Sequence, residues 1–169
     1  MSDYWKEMNA QPATGAATTT EFLVPTNQKL GRQIKTAAGW LWVMAGLSAI
    51  NLLLLHLDAP IRMMVDVFAV DLLFAVGREL GPVFLIAALV AGAVLIGFFT
   101  FLGFQTKAGR VWAFVTAIVL ISLAAVLIYF TTDLGGIGPF LVHGFAIYLV
   151  VVGLKAAKLH NHRKSLGKP

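Results

Sequence analysis

The sequence predicts an all-α integral membrane four-helix bundle, with an additional short helix at the outer interface and a flexible N-terminal tail. Three observations predict it: the scarcity of charge, four long uncharged apolar runs, and the one-sided placement of lysine and arginine. Of 169 residues, 59% are apolar and 12% are charged, and the mean hydropathy is +0.82. Soluble domains carry roughly 25% charged residues. A water-soluble fold cannot hide this much apolar surface, whereas a bilayer accepts it.

The four-span domain is expected over residues 36–159. The first span is residues 37–57, a run without charge that is long enough for about 30 Å of hydrocarbon. The second is residues 82–104, opened by Gly81-Pro82, where proline at a first helical position loses no needed hydrogen bond. The third is residues 111–130. The fourth is residues 137–154, continuing as helix into residues 155–159, and Gly135, Gly136, Gly138 and Pro139 lie at its outer end.

Residues 1–35 read as a cytoplasmic tail. Gln11 to Thr20 is rich in Ala, Thr and Gly and cannot offset its ordering entropy. Asp3, Glu7 and Glu21 interrupt any signal-peptide core. Residues 160–169 form a basic cytoplasmic tail in which His160 and His162 are expected to be solvated.

Eleven of the 13 basic residues fall on one side of this topology: Lys6, Lys29, Arg32, Lys35, Lys107, Arg110, Lys155, Lys158, Arg163, Lys164 and Lys168. Only Arg62 and Arg78 fall on the other. Basic residues concentrate on the cytoplasmic side, so both ends are cytoplasmic. The formal charge of +5 is explained by that asymmetry, and nucleic acid is not an expected partner. Trp40, Trp42 and Trp112 then fall at the cytoplasmic interface as anchors, in an aromatic belt. The pattern T-x-A-G-x-x-W occurs at residues 36–42 and again at 106–112. It reads either as a parallel repeat of two hairpins or as the same anchor chemistry at one interface.

Residues 59–78 are apolar enough to consider as a fifth span. Asp66 and Asp71 would each cost about 2.5–3.5 kcal/mol at the centre of a span, and a fifth span would invert every later basic residue. The segment is therefore expected as a helix at the outer interface, with Asp58 as cap and Pro60 in its first turn. Arg62 and Asp66 pair at i, i+4. Asp71 and Arg78 lie on nearly the opposite side, so a second polar face is expected to meet the outer ends of the bundle.

Cysteine is absent, which removes disulfide and thiolate chemistry. No phosphate loop, G-x-S-x-G or H-E-x-x-H spacing occurs, and no catalytic, cofactor-binding or metal-ligating set is assigned. The candidate polar cluster is Asn51, His56, Asp66, Asp71 and His143, at the outer end of the spans. Intramembrane ionisable groups are functional candidates by default. For buried His143 the expected partner is Asn51, or Asp66 or Asp71 if the outer helix folds over the bundle. Ala88/Gly92 and Ala93/Gly97 form small-xxx-small pairs suited to close helix packing.

Residues 46–51, Gly-Leu-Ser-Ala-Ile-Asn, resemble the G-L-S-x-I-N stretch of a group of small uncharacterised bacterial four-span proteins. His143 to Tyr148 and Gly153 to Ala156 resemble the H-A-x-A-L-Y…G-L-K-A ending of the same group, with Gly144 in place of an alanine. The resemblance covers residues 36–159. It implies a multi-pass protein of the bacterial cytoplasmic membrane and supplies no activity.

The functional expectation is a non-enzymatic accessory or scaffold component, partnered by the lipid bilayer and by a second copy or another membrane protein. The alternative is a small transporter or channel-like protein with a path near Asn51, His56 and His143. A second alternative is a metal-dependent membrane enzyme. The topology makes a direct prediction: a periplasm-active reporter fused at Gly136 is active, and the same reporter at Pro169 is silent.

Overall fold

The computed structural model describes residues 26–57, 59, 68–131 and 137–167. The expectations that rest on residues 1–25, Asp58, Pro60, Arg62, Asp66, Asp133 and Lys168 lie outside that set. The elements are α1 (Asn27–His56), α2 (Phe68–Leu80), α3 (Pro82–Lys107), α4 (Val111–Thr131) and α5 (Ile137–Ser165). All five are helices, and α1, α3, α4 and α5 are long and apolar enough to cross a membrane.

Helix α1 begins at Asn27, within the expected tail, because the Thr26 hydroxyl accepts the Lys29 amide at 3.3 Å and caps the first turn. At 30 residues it is about 45 Å long. Its buried positions include Leu30, Ile34, Ala37, Leu41, Met44, Ser48, Asn51 and Leu55. They alternate by three and four residues, the spacing of a left-handed helix seam. The same rhythm marks α5 at His143, Ala146, Val150, Gly153 and Ala157, and α4 at Phe114, Ala117, Ile121, Ala124 and Ile128. Helix α1 packs against both α3 and α5, and α4 completes the bundle against α5.

Small residues set the closest approaches. A Cβ added to Gly153 would lie 2.6 Å from the Ala37 Cβ and 2.8 Å from Phe114 Cε1. The Trp42 indole lies directly over Gly103, and its Nε1 donates to the Thr100 carbonyl at 3.2 Å. Lys107 Nζ sits 5.4 Å from the same ring, a cation–π distance. Trp42 is thus a wedge between α1 and α3 besides any anchoring role. Trp40 meets Phe145 edge-on at 5.5 Å, and Trp112 is exposed.

Two reversals are made by glycines at positive φ. Gly109 (φ 74°) ends α3 with paired bonds, Gly109 N to Thr106 O at 2.8 Å and Arg110 N to Gln105 O at 3.1 Å. This is a Schellman closure. The repeated sequence pattern therefore has no common local structure: Gly39 lies inside α1, whereas its counterpart Gly109 forms a turn. Gly81 (φ 105°, ψ 177°) alone separates α2 from α3, in a region open essentially to glycine only.

That reversal lays α2 antiparallel along α3. A Cβ on Gly77 would meet Ala88, and a Cβ on Gly92 would meet Val70 Cγ1 at 3.2 Å. Gly92 is ten residues beyond Pro82, about 15 Å along the axis. The expected short helix is thus present as Phe68–Leu80, but it lies lengthwise beside α3 and not flat across the bundle's end. Small residues at 77, 88 and 92 permit that contact.

At the opposite end, α5 continues as helix to Ser165 and not to residue 159. Leu30 and Ile34 of α1 and Ala156 and Ala157 of α5 are buried just before the extension, which is itself largely exposed, with His160 and Arg163 half-buried. Arg163 Nη1 donates to Asn27 Oδ1 at 3.2 Å, and Asn161 Nδ2 donates to the Gly109 carbonyl at 3.1 Å.

Two substitutions check this packing. Gly103→Leu must displace Trp42 and is expected to lower the detergent melting temperature by an amount equivalent to about 1–3 kcal/mol of overpacking. Gly81→Ala meets open space but strained backbone, and is expected to cost about 1–3 kcal/mol. A Gly103→Leu variant melting with the wild type would refute the wedge.

Candidate functional site

The polar cluster is assembled by register. Contacts between Ala37 and Gly153 and between Asn27 and Arg163 fix α1 and α5 antiparallel. Ten residues from each member of the first pair are Leu47 and His143. His143 therefore lies level with the turn of α1 that carries Ser48, one turn from Asn51. Both Asn51 and His143 are 0% exposed.

Asn51 Nδ2 donates to both carboxylate oxygens of Asp71, at 3.0 Å to Oδ1 and 2.8 Å to Oδ2. Asp71 stands in the first turn of α2, brought to this depth by the run of α2 beside α3. A carboxylate accepts charge-assisted bonds that are shorter and stronger than neutral ones. The pair satisfies two groups that would otherwise be costly in an apolar interior. Val70 beside it is fully buried. Of the three partners expected for His143, Asn51 and Asp71 are thus bonded to each other, and Asp71 reaches this depth because α2 runs beside α3. His143 is itself engaged in the interior. Ser48 Oγ donates back to the Met44 carbonyl at 2.8 Å, a bond that satisfies a buried hydroxyl within its own helix.

His56 stands apart from this pair. It is exposed and lines a shallow groove with Ala49, Leu52, Leu53 and Leu89 on the α3 side of α1. Asp66 lies outside the described residues. Among the described residues no group of three His, Asp or Glu side chains is arranged to hold a metal ion. A cavity of about 370 Å³ lies between Leu55 and α2, lined also by Asp71, Phe74, Arg78 and Glu79.

The four small residues of α3 divide into two pairs. Ala88 and Gly92 are buried, against Gly77 and against Val70 and Leu52. Ala93 and Gly97 are exposed, and a Cβ on Gly97 would meet nothing within 4 Å. Gly97 adjoins a second feature that the sequence did not announce. Trp42, Ala45, Gly46, Ala49, Ile96, Thr100 and Phe104 line an apolar groove of about 480 Å³ between α1 and α3. At 100° per residue, Ala93 and Gly97 fall beside Ile96 and Thr100 on its lip. Gly46 is exposed with open space above it.

No family model, no curated protein and no solved structure matches the chain.

The Asn51–Asp71 pair yields a graded prediction. Asn51→Leu removes both bonds and leaves the half-buried Asp71 carboxylate without its amide, and a loss of about 1–3 kcal/mol is expected. Asp71→Asn keeps the shape and one amide–carbonyl bond and is expected to cost less. The double variant Asn51→Leu/Asp71→Leu is expected to recover part of the loss of Asn51→Leu. Equal melting temperatures for all three and the wild type would remove the pair's structural role.

Proposed function

We propose that the chain is a four-span protein of the bacterial cytoplasmic membrane, with both ends cytoplasmic. In this reading it serves as a non-enzymatic accessory or scaffold component that receives a helix from a second copy or from another membrane protein. The bacterial location follows from the resemblance of residues 46–51 and 143–156, and the orientation follows from the basic asymmetry.

The observation that carries the scaffold reading is the groove between α1 and α3. On α1 the groove is lined by the small residues Ala45, Gly46 and Ala49 beyond Trp42, and Ala93 and Gly97 adjoin its Ile96–Thr100 side on α3. Lipid tails are as apolar as leucine, so helices associate in bilayers through close backbone approach at small residues. An exposed helical glycine costs about 1 kcal/mol relative to alanine. Among the described residues nothing lies within 4 Å of a Cβ added at Gly46 or Gly97, and a partner helix is what their small size would serve. Gly92, by contrast, is occupied by α2 and reports on the fold.

A second reading is favoured by the Asn51–Asp71 pair. A carboxylate held among spans, with buried His143 one turn away, is the kind of group that proton- or cation-coupled transporters use. Half-length helices beside a span also recur in transporters, where they line sites within the bilayer. The rest of a path is sparse: Thr116 is half-buried and Tyr148 is exposed.

The test is crosslinking in native membranes. Gly46→Leu/Gly97→Leu fills the groove without touching the interior, and crosslinked species seen with the wild type are expected to fall at least severalfold. If the wild type crosslinks to nothing, the scaffold reading fails. Proton or cation flux in proteoliposomes, abolished by Asp71→Asn, would establish the second reading in its place.

A further inference from the structure

Among the described residues, the end of the molecule that holds both helix extensions carries charge of one sign. Lys29, Arg32, Lys35, Lys107, Arg110, Lys155, Lys158, Arg163 and Lys164 are all there. No aspartate or glutamate occurs from Thr26 to Leu57, between Glu79 and Asp133, or after Asp133. Ordinary helix surfaces intersperse both signs, and their charges neutralise each other in i, i+4 pairs. Here Arg163 is bonded to Asn27 and Lys107 sits over the Trp42 ring, while Arg32 and Lys35 are exposed.

Within this collar one place is shaped. Gln28, Gly31, Arg32 and Lys35 line a cavity of about 350 Å³ on the first turns of α1. The spacing i, i+3, i+4, i+7 puts all four on one side of the helix. Gln28, Arg32 and Lys35 are exposed. Gly31 makes the floor, and a Cβ there would meet nothing within 4 Å. Packing therefore does not require a glycine at this position, and it leaves backbone open between an amide, a guanidinium and an ammonium. The helix N-terminus adds a partial positive charge of about +0.5.

Depth identifies the occupant. With the first apolar residue of the span at Ala37, Lys35 and Arg32 fall about 3 and 8 Å beyond the hydrocarbon edge. The headgroup layer on each side of a bilayer is about 5–8 Å deep. The Lys35–Arg32 side of the cavity is thus at the depth of lipid phosphates, while Gly31 and Gln28 lie about 9 and 14 Å out, toward its aqueous rim. Guanidinium matches phosphate oxygens bidentately, and a lysine stem runs along apolar surface while its ammonium reaches the headgroups.

We propose that Gln28, Gly31, Arg32 and Lys35 form a headgroup site for an anionic phospholipid of the leaflet that faces the two helix extensions. The phosphate lies over Gly31, clamped between Arg32 and Lys35, with the Gln28 amide donating to a remaining oxygen or to the headgroup. The site rests on the four-span reading and is independent of what fills the groove between α1 and α3.

The test uses the full chain in detergent, titrated with phosphatidylglycerol and with phosphatidylcholine and read by native mass spectrometry. Selective retention of phosphatidylglycerol is expected. Arg32→Gln/Lys35→Gln is expected to lose it by roughly 25-fold, about fivefold for each charge removed. Gly31→Leu fills the cavity at unchanged charge and is expected to lose most of the selectivity, whereas Arg32→Lys retains much of it. Lys155→Gln/Lys158→Gln removes the same charge elsewhere on the collar and is expected to change retention less than twofold. Equal retention of the two lipids would overturn the proposal. So would an equal loss in the Lys155/Lys158 variant, which marks diffuse attraction, or displacement by millimolar inorganic phosphate, which marks a soluble ligand. Those outcomes leave the span assignment standing, because the reporter fusions test it separately.

Discussion

The bundle depends on how closely α1 lets its neighbours approach. No hydrophobic force drives one apolar helix onto another inside a bilayer, so contact distance decides which helices pair. On α1 the seam from Leu30 to Leu55 is small or polar at Ala37, Ser48 and Asn51. Ala37 brings α5 in until only glycine fits at residue 153. On its other side, Trp42 seats over Gly103 and fixes α3. With both neighbours held, α4 follows by packing on α5, and the register of every buried polar group follows from these contacts.

Asp71 illustrates how a local turn sets chemistry at a distance. The carboxylate reaches Asn51 because Gly81 reverses the chain in one residue and because Gly77 and Gly92 let α2 and α3 lie close. A looser connection would leave α2 at the surface, where the aspartate would be solvated and Asn51 would need another acceptor. The bond in turn fastens a half-length helix to a full-length one. Fold and candidate site share the same few residues, which is why a substitution at the pair tests both.

The sequence made the four long apolar helices legible because length and the absence of charge mark them, and neither depends on packing. It also indicated that Asp71 needed a second environment, since Asp71 and Arg78 fall on the side of the helix opposite Arg62 and Asp66. It did not show which way that helix lay. A run such as residues 59–78 has the same composition beside a helix as across one, and only the clearance at Gly77 and Gly92 distinguishes them. Apolar periodicity was equally silent on helix faces, because outward-facing Val90, Val119 and Leu141 are as apolar as buried Leu41 and Ile121. The readable signal was of the opposite kind: small and polar residues at spacings of three and four, as at His143, Ala146, Gly153 and Ala157. Gly46 and Gly97 carry that mark too, but a single chain cannot show what an outward-facing small residue meets. The helical ends at residues 27–35 and 160–165 were hidden for another reason. Their charge suggested solvated tails, whereas Leu30 and Ile34 are buried between the charges at the first end, and Asn161 and Arg163 tie down the largely exposed second end.

The bond between Asn27 and Arg163 joins the two ends of the described chain at one point. Mechanically, this tie couples the two ends directly, beside the bond from Asn161 to the Gly109 carbonyl. A pull on the segment before α1 loads the end of α5, and a pull on the segment after α5 loads the start of α1. Both helices run the length of the bundle and meet at Ala37 and Gly153, so such a load is shared as tension along two parallel rods. It does not act as a torque that would peel one helix from the other.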